Sequence, residues 1–165
     1  MKIRAVPSPR LLWWAAGLGA ASLAVLAFPT LKLVLLAADL VLAALALLDW
    51  LLTPGPKSLS VERNAPERAS LLGTQTITIR IHNESGVKLA VRIRDDVPTP
   101  LRPETDELVG VAPARGEAAV RYTIKPATRG RFSFGDVHLR YRSLLGLWER
   151  SKTIPAGRGL RLARY

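Results

Sequence analysis

Only a few side chains of this sequence have the chemistry for catalysis or metal binding. The chain of 165 residues contains no cysteine and two histidines, His82 and His138. Without cysteine the protein cannot form disulfides or thiolate zinc sites, and it has no cysteine nucleophile. His82 begins a run of turn residues, whereas His138 lies on the outward parity of an alternating segment. Because nothing in the sequence brings the two histidines together with carboxylates, we predict no metal site.

Asp95 and Asp96 form an adjacent pair of carboxylates, a pattern that could serve acid–base chemistry or cation binding. Adjacent residues of a strand point to opposite faces, so the two carboxylates would diverge. This divergence favours a loop or capping role over cation binding. The sequence also lacks the glycine-rich phosphate loop and the nucleophile elbow of hydrolases. We therefore predict that the protein is not an enzyme and that it uses no cofactor.

Two long apolar segments near the N-terminus precede the polar part of the chain and must position it. Residues 11–28 read LLWWAAGLGAASLAVLAF, and residues 31–52 read LKLVLLAADLVLAALALLDWLL. A helix formed by the shorter segment would span about 27 Å, close to the thickness of the hydrocarbon core of a bilayer. Pro29 lies between the segments and is typical of a turn that ends a helix. The sequence thus predicts a transmembrane hairpin. A secretory signal peptide is the alternative for the first segment, although a second apolar segment follows at once.

Basic and aromatic residues at the ends of the two segments predict the orientation of the hairpin. Basic residues lie in the N-terminal residues 1–10 and just after the second segment; they are Lys2, Arg4, Arg10, Lys57, Arg63 and Arg68. Such residues mark the cytoplasmic side of a membrane. Trp13, Trp14 and Trp50 would lie at the same interface and form an aromatic belt. We predict a multi-pass protein of the inner (plasma) membrane, embedded in the lipid bilayer with both termini in the cytoplasm.

Asp39 is the one acidic residue that the hairpin would place deep in the bilayer, where a carboxylate costs about 2.5–3.5 kcal/mol on insertion scales. In an antiparallel hairpin it would face a group of small residues: Gly17, Gly19 and Ser22. One interpretation is a protonated or hydrogen-bonded carboxyl within the hairpin or a homo-oligomer. The alternative is a polar contact to another protein, or an ion path. Asp49, beside Trp50 at the interface, is predicted to have no special role.

After a linker at residues 53–57, residues 58–165 show the period-two alternation of β-strands. In TITIRI, Ile77, Ile79 and Ile81 share one face, and VKLAVRIRD alternates in the same way. The turn residues HNESG between them predict a hairpin with one buried face. Further strands are predicted at residues 58–62, 108–111, 118–124 and 160–162. We predict a membrane-anchored all-β protein, in which the helical hairpin precedes an immunoglobulin-like β-sandwich of about seven or eight strands.

The stretch RGRFSFGDVHLRYRSLLGLWER changes parity halfway along its length. Phe132 and Phe134 share one face of an extended chain, but the apolar residues from Val137 onward occupy the opposite parity. Side chains cannot change faces within a regular strand. One inserted residue at Gly135-Asp136 would return both groups to the core, and glycine is preferred in one type of β-bulge. We predict a bulge at this position and a structural role for the stretch.

The same stretch resembles a signature of the bacterial and archaeal proteins called domain of unknown function 58. That signature has an Arg-Gly pair, an aromatic-x-Phe-Gly segment, a strand, and a Leu-Gly-Leu-aromatic turn followed by basic residues. The matching residues here are Arg129, Gly130, Phe132, Phe134, Gly135, Ser143, Leu145, Gly146, Leu147, Trp148 and Arg150. Leu144 stands where the family usually has proline, which predicts a looser turn. The resemblance covers nearly the whole chain, including both apolar segments, residues 61–73 and residues 81–98.

The resemblance implies a domain arrangement and a partner. Relatives continue into a von Willebrand A-like domain with a metal-dependent Asp-x-Ser-x-Ser adhesion motif, which this sequence lacks. The chain is therefore expected to correspond to the N-terminal half of such a protein. The resemblance further implies work beside MoxR-type AAA+ ATPases in the assembly or maturation of protein complexes. An ATPase of this type, or a separate von Willebrand A-like chain, is the implied partner.

Basic residues outnumber acidic residues after residue 53, and the formal net charge of the chain is +11. Three interpretations are open: a solvated surface near anionic lipid head groups, a protein-docking surface, or a nucleic-acid surface. The basic residues are scattered with few aromatic residues between them, which disfavours nucleic acid. The apolar run LLGLW at residues 144–148 is interpreted as a plug at one end of the sandwich, or alternatively as an exposed anchor for a partner.

We predict a non-enzymatic, membrane-anchored protein-interaction module. The alternative is a purely structural scaffold subunit of a cell-envelope complex.

Overall fold

The computed structural model describes residues 3–65, 73–101, 103–128, 131–155 and 160–161. The chain divides into two compact units. One unit contains two helices and a loop, within Ala5–Pro54 and Arg142–Arg150. The other unit is built mainly from Gly55–Tyr141 and contains the β-sandwich.

Two helices joined by short 3₁₀ turns form most of the first unit. Helix α1 is Pro9–Ser22 and continues into a 3₁₀ turn, and helix α2 is Lys32–Leu52. Ser8 caps α1, because its Oγ accepts a hydrogen bond from the Leu11 backbone N–H at 3.4 Å. Both helical segments are long and apolar enough to span a membrane, as predicted.

The surface of the two helices is predominantly apolar. No residue of α1 is buried, and in α2 only Ala46 and Asp49 are buried. The exposed large apolar side chains of the helices include Leu12, Trp13, Trp14, Leu33, Val34, Leu36, Leu40, Val41, Leu47, Leu48 and Leu51. Contiguous apolar surface of this extent is rare on a protein that is in contact with water alone.

Eight strands form two sheets, and two short strands form a separate ribbon. The strands are β1 Ile3–Pro7, β2 Leu59–Asn64, β3 Gln75–Asn83, β4 Leu89–Asp95, β5 Leu108–Ala112, β6 Gly116–Ile124, β7 Arg131–Phe132, β8 Val137–Arg142, β9 Trp148–Ile154 and β10 Leu160–Arg161. One sheet has the order β1-β9-β8-β4-β5 and the other the order β2-β3-β6, while β7 pairs with β10. The predicted β-sandwich is confirmed. Strand β1 lies within residues 1–10, for which the sequence predicted no strand.

The alternation of apolar residues correctly predicted which side chains enter the core of the sandwich. In β3 the three isoleucines of TITIRI are fully buried, and in β4 the side chains of Leu89, Val91 and Ile93 are at most 2% exposed. Residues of both sheets form one apolar cluster that also includes Ile124, Phe134 and Leu139. Burial of each such side chain contributes about 1.5–3 kcal/mol.

The predicted hairpin between the TITIRI and VKLAVRIRD segments is wrong. Strand β3 pairs with β2 and β6, whereas β4 pairs with β5 and β8. The connecting segment therefore crosses from one sheet to the other. The buried Asn83 side chain holds this crossing, because its amide donates to the carbonyl oxygens of Val87 and Pro113, each at 2.8 Å. Alternation identifies the buried face of a strand but not the sheet to which the strand belongs.

The predicted bulge at Gly135-Asp136 is wrong in form, although the change of parity is real. Phe134 and Val137 are both buried, at 1% and 4% exposure, but they do not lie on one bulged strand. Residues 133–136 are irregular and separate β7, which pairs with β10, from β8, which pairs with β4. Gly135 is needed because a Cβ there would lie 2.6 Å from the Cβ of Asp96.

Candidate functional site

The segment that follows β8, together with the first three residues of β9, lies against the end of α2 within the first unit. We call residues 143–150 the clasp loop. It begins with a turn in which the Gly146 N–H donates to the Ser143 carbonyl oxygen at 3.0 Å. Gly146 has a φ of +74°, a conformation that favours glycine. Leu144 occupies the second position of this turn, where proline is favoured, yet the turn is closed by its hydrogen bond.

Asp49 is the acceptor that organises the clasp loop. Asp49 is only 1% exposed to solvent. The carboxylate accepts hydrogen bonds from the Ser143 hydroxyl at 2.5 Å, the Leu145 N–H at 2.8 Å and the Leu147 N–H at 3.0 Å. Hydrogen bonds to an ionised acceptor are about twice as strong as those between neutral groups. The sequence predicted no special role for Asp49, and that prediction is wrong.

The clasp loop also supplies donors to the C-terminal carbonyl groups of α2. The guanidinium of Arg150 donates to the carbonyl oxygens of Trp50 at 2.6 Å and Thr53 at 3.0 Å. The usual partner of the Trp50 carbonyl would be the N–H of residue 54, but Pro54 has none. A cation at this end of a helix is also favoured by the helix dipole.

Aromatic packing accompanies the capping of α2. The Arg150 guanidinium lies 4.8 Å from the centre of the Trp50 ring, and Trp50 contacts Trp148 edge to face at 4.9 Å. The indole N–H of Trp148 donates to the Ala46 carbonyl oxygen at 2.8 Å. Trp50, predicted as an interface residue, is therefore also a packing partner of the clasp loop.

The start of α1 contacts the same loop. The backbone N–H of Ser8 donates to the Leu147 carbonyl oxygen at 2.8 Å, and its hydroxyl donates to the Gly146 carbonyl oxygen at 2.6 Å. The clasp loop thus bonds to the N-terminal end of α1 and to the C-terminal end of α2. These are the two helix ends farthest in sequence from the turn that joins the helices.

The clasp loop does not act as the predicted apolar plug. Leu144 and Leu145 are 44% and 54% exposed, and no residue of LLGLW belongs to the core cluster of the sandwich. The signature residues Ser143, Leu145, Gly146, Leu147, Trp148 and Arg150 instead hold the helix ends through polar contacts. Of the remaining signature residues, Phe132 and Phe134 pack in the sandwich core, while Arg129 and Gly130 lie outside the described residues.

The other predicted residues of the hairpin are exposed. Trp13 and Trp14 are 78% and 65% exposed, near the start of α1. Asp39 is exposed on α2, and among the described residues it has no hydrogen-bond or ion-pair partner. A Cβ added at Gly17 or Gly19 would meet nothing within 4 Å. The position of Asp39 opposite these small residues stays a prediction.

A buried polar network crosses the interior of the sandwich. Asp95 forms an ion pair with Arg63, and the two side chains are 3% and 6% exposed. Asp95 also accepts a hydrogen bond from the Tyr122 hydroxyl at 2.6 Å, and burial together with this bond raises the pKa of Tyr122 far above its usual value. The Arg63 guanidinium lies 4.8 Å from the centre of the Phe134 ring. Asp96 instead lines a cleft on the outer face of the sheet, so the Asp95-Asp96 pair diverges.

This open cleft of about 530 Å³ lies on the outer face of the five-stranded sheet. Seven residues line it: Arg92, Arg94, Asp96, Asp106, Glu107, His138 and Arg140. Arg92 lies directly across from Arg140 on the neighbouring strand, and Arg94 lies across from His138. Directly opposed like charges destabilise a sheet. Among the described residues none of the three arginines forms an ion pair or a hydrogen bond. The sequence shows the excess of basic residues but does not predict this cluster.

The two histidines lie on different sheets. His82 contacts Glu117 at 3.4 Å on one sheet, and His138 contacts the Thr153 hydroxyl at 3.2 Å on the other. Within the described part of the chain, no group of three or more histidine and acidic residues could hold a metal ion.

Comparison with known proteins identifies no family for this chain. No family model matches the chain, and no curated protein matches it. One similar structure is the CARDB domain of the PF1109 protein from Pyrococcus furiosus in complex with di-metal ions, with a TM-score of 0.41 and 10% identity over 64% of this chain and 87% of that chain. Another is WR4, a C. elegans MSP family member, with a TM-score of 0.36 and 15% identity over 61% of this chain and 98% of that chain. Both are β domains.

Proposed function

We propose that the protein is a non-enzymatic, membrane-anchored protein-interaction module. The observation that carries this proposal is the apolar surface of α1 and α2, which exposes large side chains such as Trp13, Leu33 and Leu40 along both helices. A lipid bilayer is the environment that removes such a surface from water at the lowest cost. The basic residues at residues 1–10 and after α2 favour a cytoplasmic location for both termini.

The polar residues of the structure support binding rather than catalysis. The buried carboxylates Asp49 and Asp95 are occupied by structural hydrogen bonds, which leaves neither free to act as a general base. The arginines of the cleft, by contrast, form no ion pair among the described residues and can contact a partner. The resemblance to the domain of unknown function 58 suggests that the partner is a MoxR-type AAA+ ATPase or a von Willebrand A-like chain. Anionic lipid head groups would lie near the basic surface of the sandwich.

Membrane anchoring can be tested with a charge-matched pair of variants. Leu36→Arg combined with Leu40→Arg places two guanidinium groups on exposed apolar positions of α2. Each costs about 2.5–3.5 kcal/mol at the centre of a bilayer. We expect this variant to leave the alkali-resistant membrane fraction. The control, Thr76→Arg combined with Thr105→Arg, adds the same charge at exposed positions of the sandwich and should stay in that fraction. Equal extraction of both variants would refute the anchor.

The interaction role can be tested by affinity purification of the tagged full chain from mildly solubilised membranes. Reproducible recovery of an AAA+ ATPase at a defined ratio supports the proposed module. Recovery of cell-envelope components alone supports the alternative, a structural scaffold. The scaffold alternative is favoured by the clasp loop, whose polar contacts fix both helix ends.

A further inference from the structure

The cleft on the five-stranded sheet has an arrangement of charge that the sandwich itself does not require. Arg92 and Arg140 face each other across β4 and β8, with Arg94 two residues along β4. Side chains directly opposite on one face have Cβ atoms about 4.5–5.5 Å apart, so the positive charges repel one another. Among the described residues, no carboxylate lies within ion-pair distance of any of these three arginines. A bound anionic group would relieve the repulsion, and guanidinium groups bind carboxylates through two parallel hydrogen bonds.

The acidic residues of the cleft restrict which kind of ligand can carry the anionic group. Asp96, Asp106 and Glu107 line the same cleft, which places three carboxylates beside the three arginines. A continuous anionic surface, such as a lipid leaflet or a nucleic-acid backbone, would bring its negative charges against these carboxylates. A discrete acidic side chain on a partner can contact the arginines while avoiding the acidic residues.

The neighbouring strand β5 adds an apolar surface at the edge of the same sheet. Val109 and Val111 are 69% and 46% exposed, and Val109 lies directly across from Arg92. β5 is the last strand of its sheet. An edge strand of this kind can accept an extended segment of another protein, whose side chains then lie beside the exposed ones. A segment that combines acidic with apolar residues complements both the arginines and the valines.

We propose that this cleft and β5 bind an extended, acidic and partly apolar segment of a partner protein, with its carboxylates held by Arg92, Arg94 and Arg140. This inference rests on the proposed function as a protein-interaction module and specifies the chemistry of the partner. The binding is electrostatic at an exposed site, so it weakens as ionic strength rises.

The test uses the full chain in nanodiscs of zwitterionic lipid. The probe is a fluorescent peptide of alternating Glu and Val residues, with a Gln-Val peptide as its neutral counterpart. The cleft variant carries Arg92→Gln, Arg94→Gln and Arg140→Gln. The control variant carries Arg80→Gln, Arg121→Gln and Lys125→Gln, which remove the same number of positive charges from exposed positions. Arg80 and Arg121 lie on the three-stranded sheet, and Lys125 follows directly after β6. Inorganic phosphate and anionic vesicles of phosphatidylglycerol are tested in parallel.

We expect the unsubstituted protein to bind the Glu-Val peptide and not the Gln-Val peptide. The cleft variant should bind at least about tenfold more weakly, and the control variant within about twofold of the unsubstituted protein. Equal losses in the two variants would show an effect of net charge and would overturn the proposal. Binding of phosphate or vesicles that depends on the cleft, without binding of the peptide, would overturn it in favour of a phosphate or lipid ligand.

A stability measurement separates loss of binding from loss of folding. Arg140→Gln removes one of the opposed charges, so we expect the melting temperature to rise by ~2–4 °C at low salt, with a smaller difference at high salt. A lower melting temperature would show that Arg140 has a structural partner, which would contradict the proposal. The peptide assay uses purified protein, so it can succeed even where no partner is recovered from membranes.

Discussion

Removing the carboxylate of Asp49 is expected to release the clasp loop from α2. Asp49→Ala leaves three donors without their acceptor: the Ser143 hydroxyl and the backbone N–H groups of Leu145 and Leu147. A hydrogen bond to a charged group contributes about 1.5–3 kcal/mol net. Once the carboxylate is gone, water can reach the two partly buried N–H groups and replace part of the lost hydrogen bonding. We therefore expect a total loss of local stability of about 3 kcal/mol, which is less than the sum of three separate hydrogen bonds.

Hydrogen exchange of the clasp loop reports this loss directly. A loss of about 3 kcal/mol corresponds to roughly hundredfold faster exchange of the Leu145 and Leu147 amides when exchange follows local opening. The measurement is made by NMR or mass spectrometry on the full chain in nanodiscs. Asp49→Asn should give an intermediate rate, because its amide retains one acceptor oxygen but turns a donor group toward the loop.

Asp39→Ala is the matched control for this experiment. It makes the same substitution in the same helix, at an exposed carboxylate that has no described partner. We expect the amides of Leu145 and Leu147 to exchange at an unchanged rate in this variant. If Asp49→Ala altered their exchange by less than about threefold, the carboxylate would not be holding the loop, and the reasoning would be refuted.

Two further predictions concern the sandwich. Gly135→Ala should lower the free energy of unfolding in denaturant by about 1–3 kcal/mol, because the new Cβ would lie 2.6 Å from the Asp96 Cβ. Gly86→Ala is the control, because a Cβ at Gly86 would meet no atom within 4 Å. Equal unfolding midpoints for the two variants would contradict this prediction. Tyr122→Phe should cost about 1–2 kcal/mol by removing the hydrogen bond to Asp95. Because folding raises the pKa of Tyr122, its contribution to stability is present below the unfolded pKa of 10.0 and decreases above it, so the two proteins should converge in stability at higher pH. A difference that stays constant with pH would contradict the burial of this hydroxyl.

The sequence predicted the local properties of the chain better than its long-range contacts. Hydrophobic length predicted both helices, and the parity of residues such as Ile79 and Val91 predicted burial, because each depends on neighbouring residues alone. The pairing of strands depends on residues distant in sequence. For this reason the sequence predicts a hairpin where Asn83 fixes a crossing between the sheets, and a bulge where the strand is interrupted at Gly135.

The clasp loop could not be predicted from local patterns. Asp49 and Ser143 are separated by 94 residues in the chain, and no periodicity relates them. One local signal was present, however. Pro54 leaves the Trp50 carbonyl without its helical partner, and this predicts that a donor from elsewhere must cap the helix. The carboxylate of Asp49, close to the end of an apolar helix, is a second signal of the same kind. Such a group is buried only where donors surround it.

A measurement of the membrane topology tests the proposed function most directly. Because the sequence contains no cysteine, a thiol reagent would label only an introduced cysteine. Single cysteines are introduced by Thr30→Cys, in the exposed turn between the helices, and by Thr105→Cys, at an exposed position of the sandwich. Intact bacterial cells are then treated with a membrane-impermeant maleimide. A hairpin with both termini in the cytoplasm predicts labelling at residue 30 in intact cells, and labelling at residue 105 only after permeabilisation. Labelling at residue 105 in intact cells, with residue 30 protected, would contradict the orientation and the cytoplasmic partner together.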